Sequence, residues 1–340
     1  SGRDPVRPAG EWRLPQGLLG PALEWDSAVL IDRTTDRNTS QGFYCGWNNK
    51  SRAGYDSAPN ATAKYFGPFN RAHVVDDYLR NNDNFTFEDL RDLAINIATT
   101  DSWEGGGNPW NFVKDDFVDA ITNAGLTTER QAALNLLAAW DGHFVDGGSS
   151  EWALGTDRAD AWILMDAWIR EVIRLTFEDE LGTGAGGLFE SQKTYMLFNV
   201  LLRGLAGSSA GLPWNYEDWF LDLSDSGAPQ TAGDIIVTAL DTVLAGLGTP
   251  PWGSDARGEI EYNHAMLGLL HEMPLSSRST YAHCVEFGPS GPVRIESMFP
   301  LGESGNILVG AGGAPVFDDH FFSMTAVYDD FSHRSFPLFD

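Results

Sequence analysis

Lysine is scarce in this chain: four residues, Lys50, Lys64, Lys114 and Lys193, in 340. The 22 basic residues face 48 acidic ones, so the formal net charge is −26 at pH 7. A field of that sign repels nucleic acid and anionic lipid, and neither is expected as a partner. It is compatible with a secreted, acid-surfaced or salt-adapted protein. Cysteine is scarcer still: Cys45 and Cys284 are too few for a disulfide scaffold and have no metal-ligand spacing. Each sits in a strand-like apolar run, where a buried free thiol is the expectation and a single disulfide between them the alternative. No run of 18 apolar residues occurs, so no membrane-spanning helix is expected. A starting Met and a signal peptide are also missing, which implies a precursor cut at this point or a piece of a longer chain.

What the chain does have is material for a core. Hydrophobic residues make up 42%, with 12 Trp and 20 Phe, which argues against disorder and for one large domain or two modest ones. Residues 1–75 are rich in Gly, Pro and aromatics, and read as strands and long ordered loops belonging to a core sheet region. Residues 76–279 read as a mainly helical insertion. Its apolar stripes are Leu90, Leu93, Ala94 and Ile97, opened at Thr86-Phe87-Glu88 with Asp83 or Asn84 as cap; Trp162, Met165, Ile169 and Val172; Tyr195, Phe198, Leu202 and Leu205; and Ile236, Leu240, Val243 and Leu247. Gly- and Pro-rich breaks at 105–109, 182–187, 207–213 and 246–253 separate them. Residues 280–340 return to period two, with runs at Tyr281–Phe287 and Val293–Phe299 joined by Gly288-Pro289-Ser290-Gly291. The expected class is α+β: a sheet-based core carrying a large helical insertion.

Several groupings invite a chemical reading and are better explained structurally. Gly182-Thr183-Gly184-Ala185-Gly186-Gly187 follows a helix and lacks the Lys of a phosphate loop, so it reads as a connector. His264 and His271 stand seven residues apart, two turns along a helix, too far to share one ion easily. Trp140-Asp141-Gly142 with Asp146 offers paired carboxylates and a Trp platform, the parts of a glycoside hydrolase, but carboxylate pairs arise by chance in a chain this acidic. Asp318-Asp319-His320 is a cation-site candidate or a polar turn.

The stretch Gln41-Gly42-Phe43-Tyr44-Cys45-Gly46-Trp47-Asn48-Asn49-Lys50 reads as a short aromatic strand ending in two primary amides. An amide held at a strand end can donate to a developing oxyanion, or it can simply cap a turn. Around it lie Ser1-Gly2-Arg3-Asp4-Pro5-Val6-Arg7, Arg13-Leu14-Pro15, Glu24-Trp25, Gly67-Pro68-Phe69-Asn70-Arg71 and Leu137-Ala138-Ala139-Trp140-Asp141-Gly142. Near the other end stand Phe299-Pro300-Leu301-Gly302-Glu303-Ser304-Gly305-Asn306 and Pro315-Val316-Phe317-Asp318-Asp319-His320. In this order and spacing the set resembles the C-terminal part of the catalytic β chain of the penicillin acylase family, amidases of the N-terminal-nucleophile hydrolase class. The resemblance is looser between about Leu181 and Tyr281.

That resemblance implies part of a four-layer αββα fold and an N-acyl amide hydrolase, made as an autoproteolytic precursor and exported to the periplasm or beyond the cell. It assigns Asn48 as oxyanion donor, with Trp47 beside it toward the substrate. Arg71, 23 residues after Asn48, is assigned to orient the Asn48 amide, where the alternative is an ion pair with Asp76 or Asp77. It places Glu286 near the site, although a solvent-facing strand glutamate explains that residue equally well. The nucleophile is expected to be a serine in an upstream segment and not Ser1, because Gly2-Arg3-Asp4-Pro5 is polar and proline-broken where a buried strand is needed. The implied partners are that upstream segment (the α chain and the N-terminal part of the β chain) and a small N-acyl substrate. No cofactor is implied. For structural calcium, Asp56 and Asn60 are the available ligands without being a clean match. An inactive relative or binding partner of the same fold, and an acidic glycoside hydrolase, are the other two classes.

Overall fold

The computed structural model describes residues 3–5, 30–32, 35–46, 49, 67–100, 103–105, 107–140, 142, 160–182, 192–207, 219–223, 230–252, 259–274, 282–299, 301–302, 305–330 and 332–338. Helices and strands are both present and largely segregated along the chain. Among the described residues two short strands come first and seven helices follow: α1 (Ala72–Arg80), α2 (Phe87–Thr100), α3 (Trp110–Asn123), α4 (Thr128–Ala138), α5 (Asp160–Leu181), α6 (Gln192–Ala206) and α7 (Ala232–Leu247).

Helix α5 is the centre of the larger core. Its stripe buries Trp162, Leu164, Met165, Trp168, Ile169, Val172, Ile173 and Phe177. Facing it are Ile235, Ile236, Ala239 and Leu240 of α7, Phe198 and Leu201 of α6, and Trp110, Val113, Phe117 and Ile121 of α3. Fully burying each large apolar side chain contributes about 1.5–3 kcal/mol, so this stripe is the main reason the helices stay together. The Trp168 indole N–H donates to the Ile236 carbonyl at 3.1 Å, which leaves that buried donor satisfied. Helix starts are chemically marked. The Thr127 hydroxyl accepts from Arg130 N–H, and Thr231 and Asp234 form a reciprocal capping box at α7. Helix α2 uses the same device: Thr86 N–H donates to Asp89 while Asp89 N–H donates to the Thr86 hydroxyl. Thr86 is therefore the cap of α2, in place of Asp83 or Asn84, because only a residue three positions before Asp89 can exchange both bonds.

The strands form small antiparallel sheets. β1 (Arg3–Pro5) pairs with β2 (Leu30–Asp32), and Pro5 takes the end of that ladder, where a missing N–H is tolerated. β3 (Glu259–His264) and β4 (Gly268–Pro274) form a hairpin. β5 (Ala282–Gly288) and β6 (Gly291–Met298) form another, turning at Gly288–Gly291 as the sequence pattern predicts, and β9 (Arg334–Ser335) adds to β6. β7 (Ile307–Val309) pairs with β8 (Pro315–Phe317), ahead of the short α8 (Thr325–Asp329). A second, smaller core gathers Met298, Met324 and Tyr328, with Tyr262, Phe299 and Phe336 against it.

Two expectations are corrected here. Residues 259–274 are a hairpin, so His264 and His271 do not stand two turns apart on a helix. His264 pairs opposite Gly268, while His271 lies opposite Tyr262 and bonds Asp329 of α8 at 2.8 Å. The run Phe43–Gly46 is not a strand: Gly42 takes φ +82°, and the run is held by side chains to a helix and not by a ladder to a sheet. It consequently shares no sheet with β5.

The two halves meet where α2 rests on β5. Buried Glu296 of β6 accepts from Arg91 of α2 at 2.9 Å and from Arg294 at 2.6 Å. Arg294 also reaches Glu88 at 2.7 Å and lies over the Phe87 ring at 4.1 Å.

Candidate active site

The loop Gly67-Pro68-Phe69-Asn70-Arg71 delivers the chain into α1, and its shape is set from α6. The Asn199 side chain pairs with both polar atoms of Phe69: Oδ1 accepts the Phe69 N–H at 2.8 Å and Nδ2 donates to the Phe69 carbonyl at 3.0 Å. The Tyr195 hydroxyl donates to that same carbonyl at 2.8 Å and accepts from Asn70 Nδ2 at 3.1 Å. Asn70 Oδ1 in turn accepts the Ala72 N–H at 2.9 Å, in the first turn of α1. Gly67 fits only because it lacks a side chain, since a Cβ there would overlap the Asn199 carboxamide. The Phe69 ring is fully buried among Trp103, Phe112, Tyr195 and Phe198, with centroids 5.0–5.9 Å away.

Arg71 therefore leaves a backbone fixed on both sides. Burial pulls its guanidinium pKa down and the neighbouring Tyr195 partly restores it; it stays a cation at neutral pH. Burial likewise raises the Tyr195 phenol.

The other side of α1 holds the segment before Asn48. Cys45 Sγ lies 3.6 Å from Asp76 Oδ1, Arg80 bonds Asp76 at 2.7 Å and Gln41 Oε1 at 3.1 Å, and the Arg80 guanidinium lies 5.7 Å from the Phe43 ring centroid. Hydrogen bonding from Arg80 holds the Asp76 carboxyl below its ordinary range. Burial, then Asp76, pushes the Cys45 thiol up, so this cysteine is not an activated nucleophile. Between segment and helix opens a cleft of about 300 Å³, lined among others by Cys45, Asn49, Gly67, Asn70, His73 and Asp76.

One helix thus brings the Gln41–Gly46 segment and the Gly67–Arg71 loop together. Asn48 and Trp47 lie outside the described residues, as do Asp56, Asn60, Asp141 and Asp146. Asp76 takes Arg80 and Cys45 as its partners. Glu286 is exposed on β5 opposite Arg294 and is not among the cleft residues. Cys45 and Cys284 are free, half-buried thiols, one facing α1 and the other placed near Arg91 of α2, so they form no disulfide. Trp140 is buried near Trp110 in the helical core, which removes it as a sugar platform. Asp318 accepts backbone N–H bonds from Asn306 and His320, the polar-turn arrangement, and among the described residues no cluster of three or more His, Cys, Asp or Glu could hold a metal ion. Tyr195 and Asn199 escape a reading of the sequence: Tyr195 reads as part of an apolar stripe, and Asn199 is a polar residue one position after Phe198 whose partner lies 130 residues away.

An α+β chain in which a helical block precedes small C-terminal sheets, with an amide-rich cleft at α1, has a known counterpart. The chain belongs to the penicillin amidase family, whose model matches residues 1–312. Its fold is that of penicillin acylase: the thermostable penicillin G acylase from Alcaligenes faecalis superposes with a TM-score of 0.67 at 17% identity. That match covers 99% of this chain and 61% of the acylase chain. No curated protein sequence matches. Among the described residues no helix is long and apolar enough to cross a membrane.

Proposed function

We propose that the chain is the C-terminal portion of an exported N-acyl amide hydrolase, in which Asn48 stabilises the oxyanion and Arg71 orients it. The nucleophile in this reading is an N-terminal serine of an upstream segment, whose hydroxyl attacks the amide carbonyl while its own α-amine takes the proton. Negative charge then develops on the carbonyl oxygen. The Asn48 amide N–H, held by the Arg71 guanidinium against its own carbonyl, meets that charge. The substrate class is a small N-acyl compound, such as an acylated β-lactam or homoserine lactone, with Trp47 against it. Glu286 is an outlying candidate, exposed on β5.

The observation that carries the reading is the shared anchorage on α1. Cys45 and Gln41 tie the chain three to seven residues before Asn48 to Asp76 and Arg80, while Arg71 enters the same helix at its first turn. A complementation assay tests it. Residues 1–340 alone should not turn over a chromogenic N-acyl substrate, and adding the upstream segment with its N-terminal serine should restore turnover. Hydrolysis by the pure isolated chain would show that another group does the chemistry.

A further inference from the structure

We propose that Tyr195 and Asn199 of α6 are positioning residues for Arg71: they fix the Phe69–Asn70 backbone and thereby the direction in which the guanidinium leaves it. The inference rests on the role given to Arg71 above.

The geometry is a polar clamp set into an apolar face. Tyr195 and Asn199 are one helical turn apart on α6, both buried, on the stripe that otherwise carries Leu197, Phe198, Leu201 and Leu202. Asn199 engages the donor and the acceptor of one residue, Phe69, as a neighbouring strand would. The Phe69 carbonyl takes a second donor from the Tyr195 hydroxyl, filling both of its lone pairs. The Tyr195 hydroxyl, Asn70 side chain and Ala72 N–H continue the chain of bonds to the start of α1. Asn199 also returns a bond to the Tyr195 carbonyl at 3.2 Å, so the two clamp residues hold each other. Arg71 is the residue enclosed between the pinned Phe69–Asn70 and the pinned Ala72.

The clamp satisfies the buried Phe69 N–H and carbonyl, and an apolar side chain at position 199 would leave them short of partners at a cost of about 1–3 kcal/mol. What the clamp adds is a single backbone conformation, and that matters where a cation must meet an amide within a few tenths of an ångström.

The test compares variants in the enzyme assembled from this chain and its upstream segment. Tyr195→Phe removes one hydroxyl and little volume; Asn199→Leu removes both bonds to Phe69. Misplacing a catalytic group by 1 Å costs on the order of 10²-fold, so Asn199→Leu should lower kcat by up to about 10²-fold and Tyr195→Phe by about tenfold, with KM within about twofold. Thr231→Ala, which removes the distant cap of α7, serves as the control: it destabilises without changing kcat. In the isolated chain, the Arg71 Nε–H resonance should broaden and exchange faster with water in both clamp variants. Unchanged kcat in Tyr195→Phe and Asn199→Leu, with a clear loss in Arg71→Ala, overturns the positioning role and leaves the site reading standing. Unchanged kcat in Arg71→Ala itself removes the site reading, and the inference with it. If Asn199→Leu fails to fold, Tyr195→Phe decides alone.

Discussion

Gly67 shows how tightly single residues are specified around the site. Its missing side chain leaves the space that the Asn199 carboxamide occupies, so any Cβ forces that amide off Phe69. Gly67→Ala is expected to destabilise the chain by about 1–3 kcal/mol, as overpacking of a fitted site does, and to speed hydrogen exchange at the Phe69 amide. Denaturant midpoints and amide exchange read the two effects. At this scale the sequence shows residue types and order, and little of their pairing. Arg71 stands out only through its distance from Asn48 within an ordered set of motifs. Asn199 carries no local sign at all, because its function is defined by Phe69, and pairing over 130 residues is invisible to periodicity. Cys45 and Cys284 illustrate the converse: both lie in apolar runs, yet one faces α1 and the other lies near Arg91 of α2, and no spacing rule reveals it.

Elements were far more legible. The stripes of α5, α6 and α7 sit where a 3.6-residue period places them, since their apolar faces are continuous and the Gly-rich breaks mark their ends. The β5–β6 hairpin is equally clear from its alternation and its Gly288–Gly291 turn. The misreadings are of short segments whose context decides. Phe43–Gly46 has the composition of a strand, but Arg80 and Asp76 supply side-chain partners and no sheet edge supplies backbone ones. Residues 259–274 carry polar groups that suit a helix or a hairpin, and the sharp turn at Gly268, with φ +74°, settles it.

The junction of α2 with β6 yields a prediction about pH. Glu296 is buried between Arg91 and Arg294, and hydrogen bonds from Arg91 first, then Arg294, hold its pKa below the ordinary glutamate value of 4.5. A carboxyl with a depressed folded-state pKa adds stability that is complete above the ordinary value and is lost as pH falls through the lower, folded one. Glu296→Gln should therefore cost about 1–3 kcal/mol at pH 7, because the charge is lost and one of the two accepting oxygens becomes an NH2 that faces a guanidinium. The gap between the native chain and the variant should close as pH drops below about 4.5. Urea titrations of both proteins between pH 3 and 7 measure it, and a gap independent of pH would mean that the Glu296 charge is not its source.

At the scale of the whole molecule, family membership follows from the match of the penicillin amidase model to residues 1–312, and the fold agrees with it. The helical block provides a rigid face on which the Gly67–Arg71 loop is held. α1 then carries both that loop and the segment leading to Asn48, so residues distant in sequence converge on one cleft.

In the proposed function Asn48 stabilises the oxyanion of an acyl-transfer reaction. The most direct measurement is the kcat of Asn48→Ala in the enzyme assembled with its upstream segment. A lost oxyanion donor predicts a fall on the order of 10²–10³ with KM little changed. Native-like kcat in a folded Asn48→Ala enzyme would contradict the account.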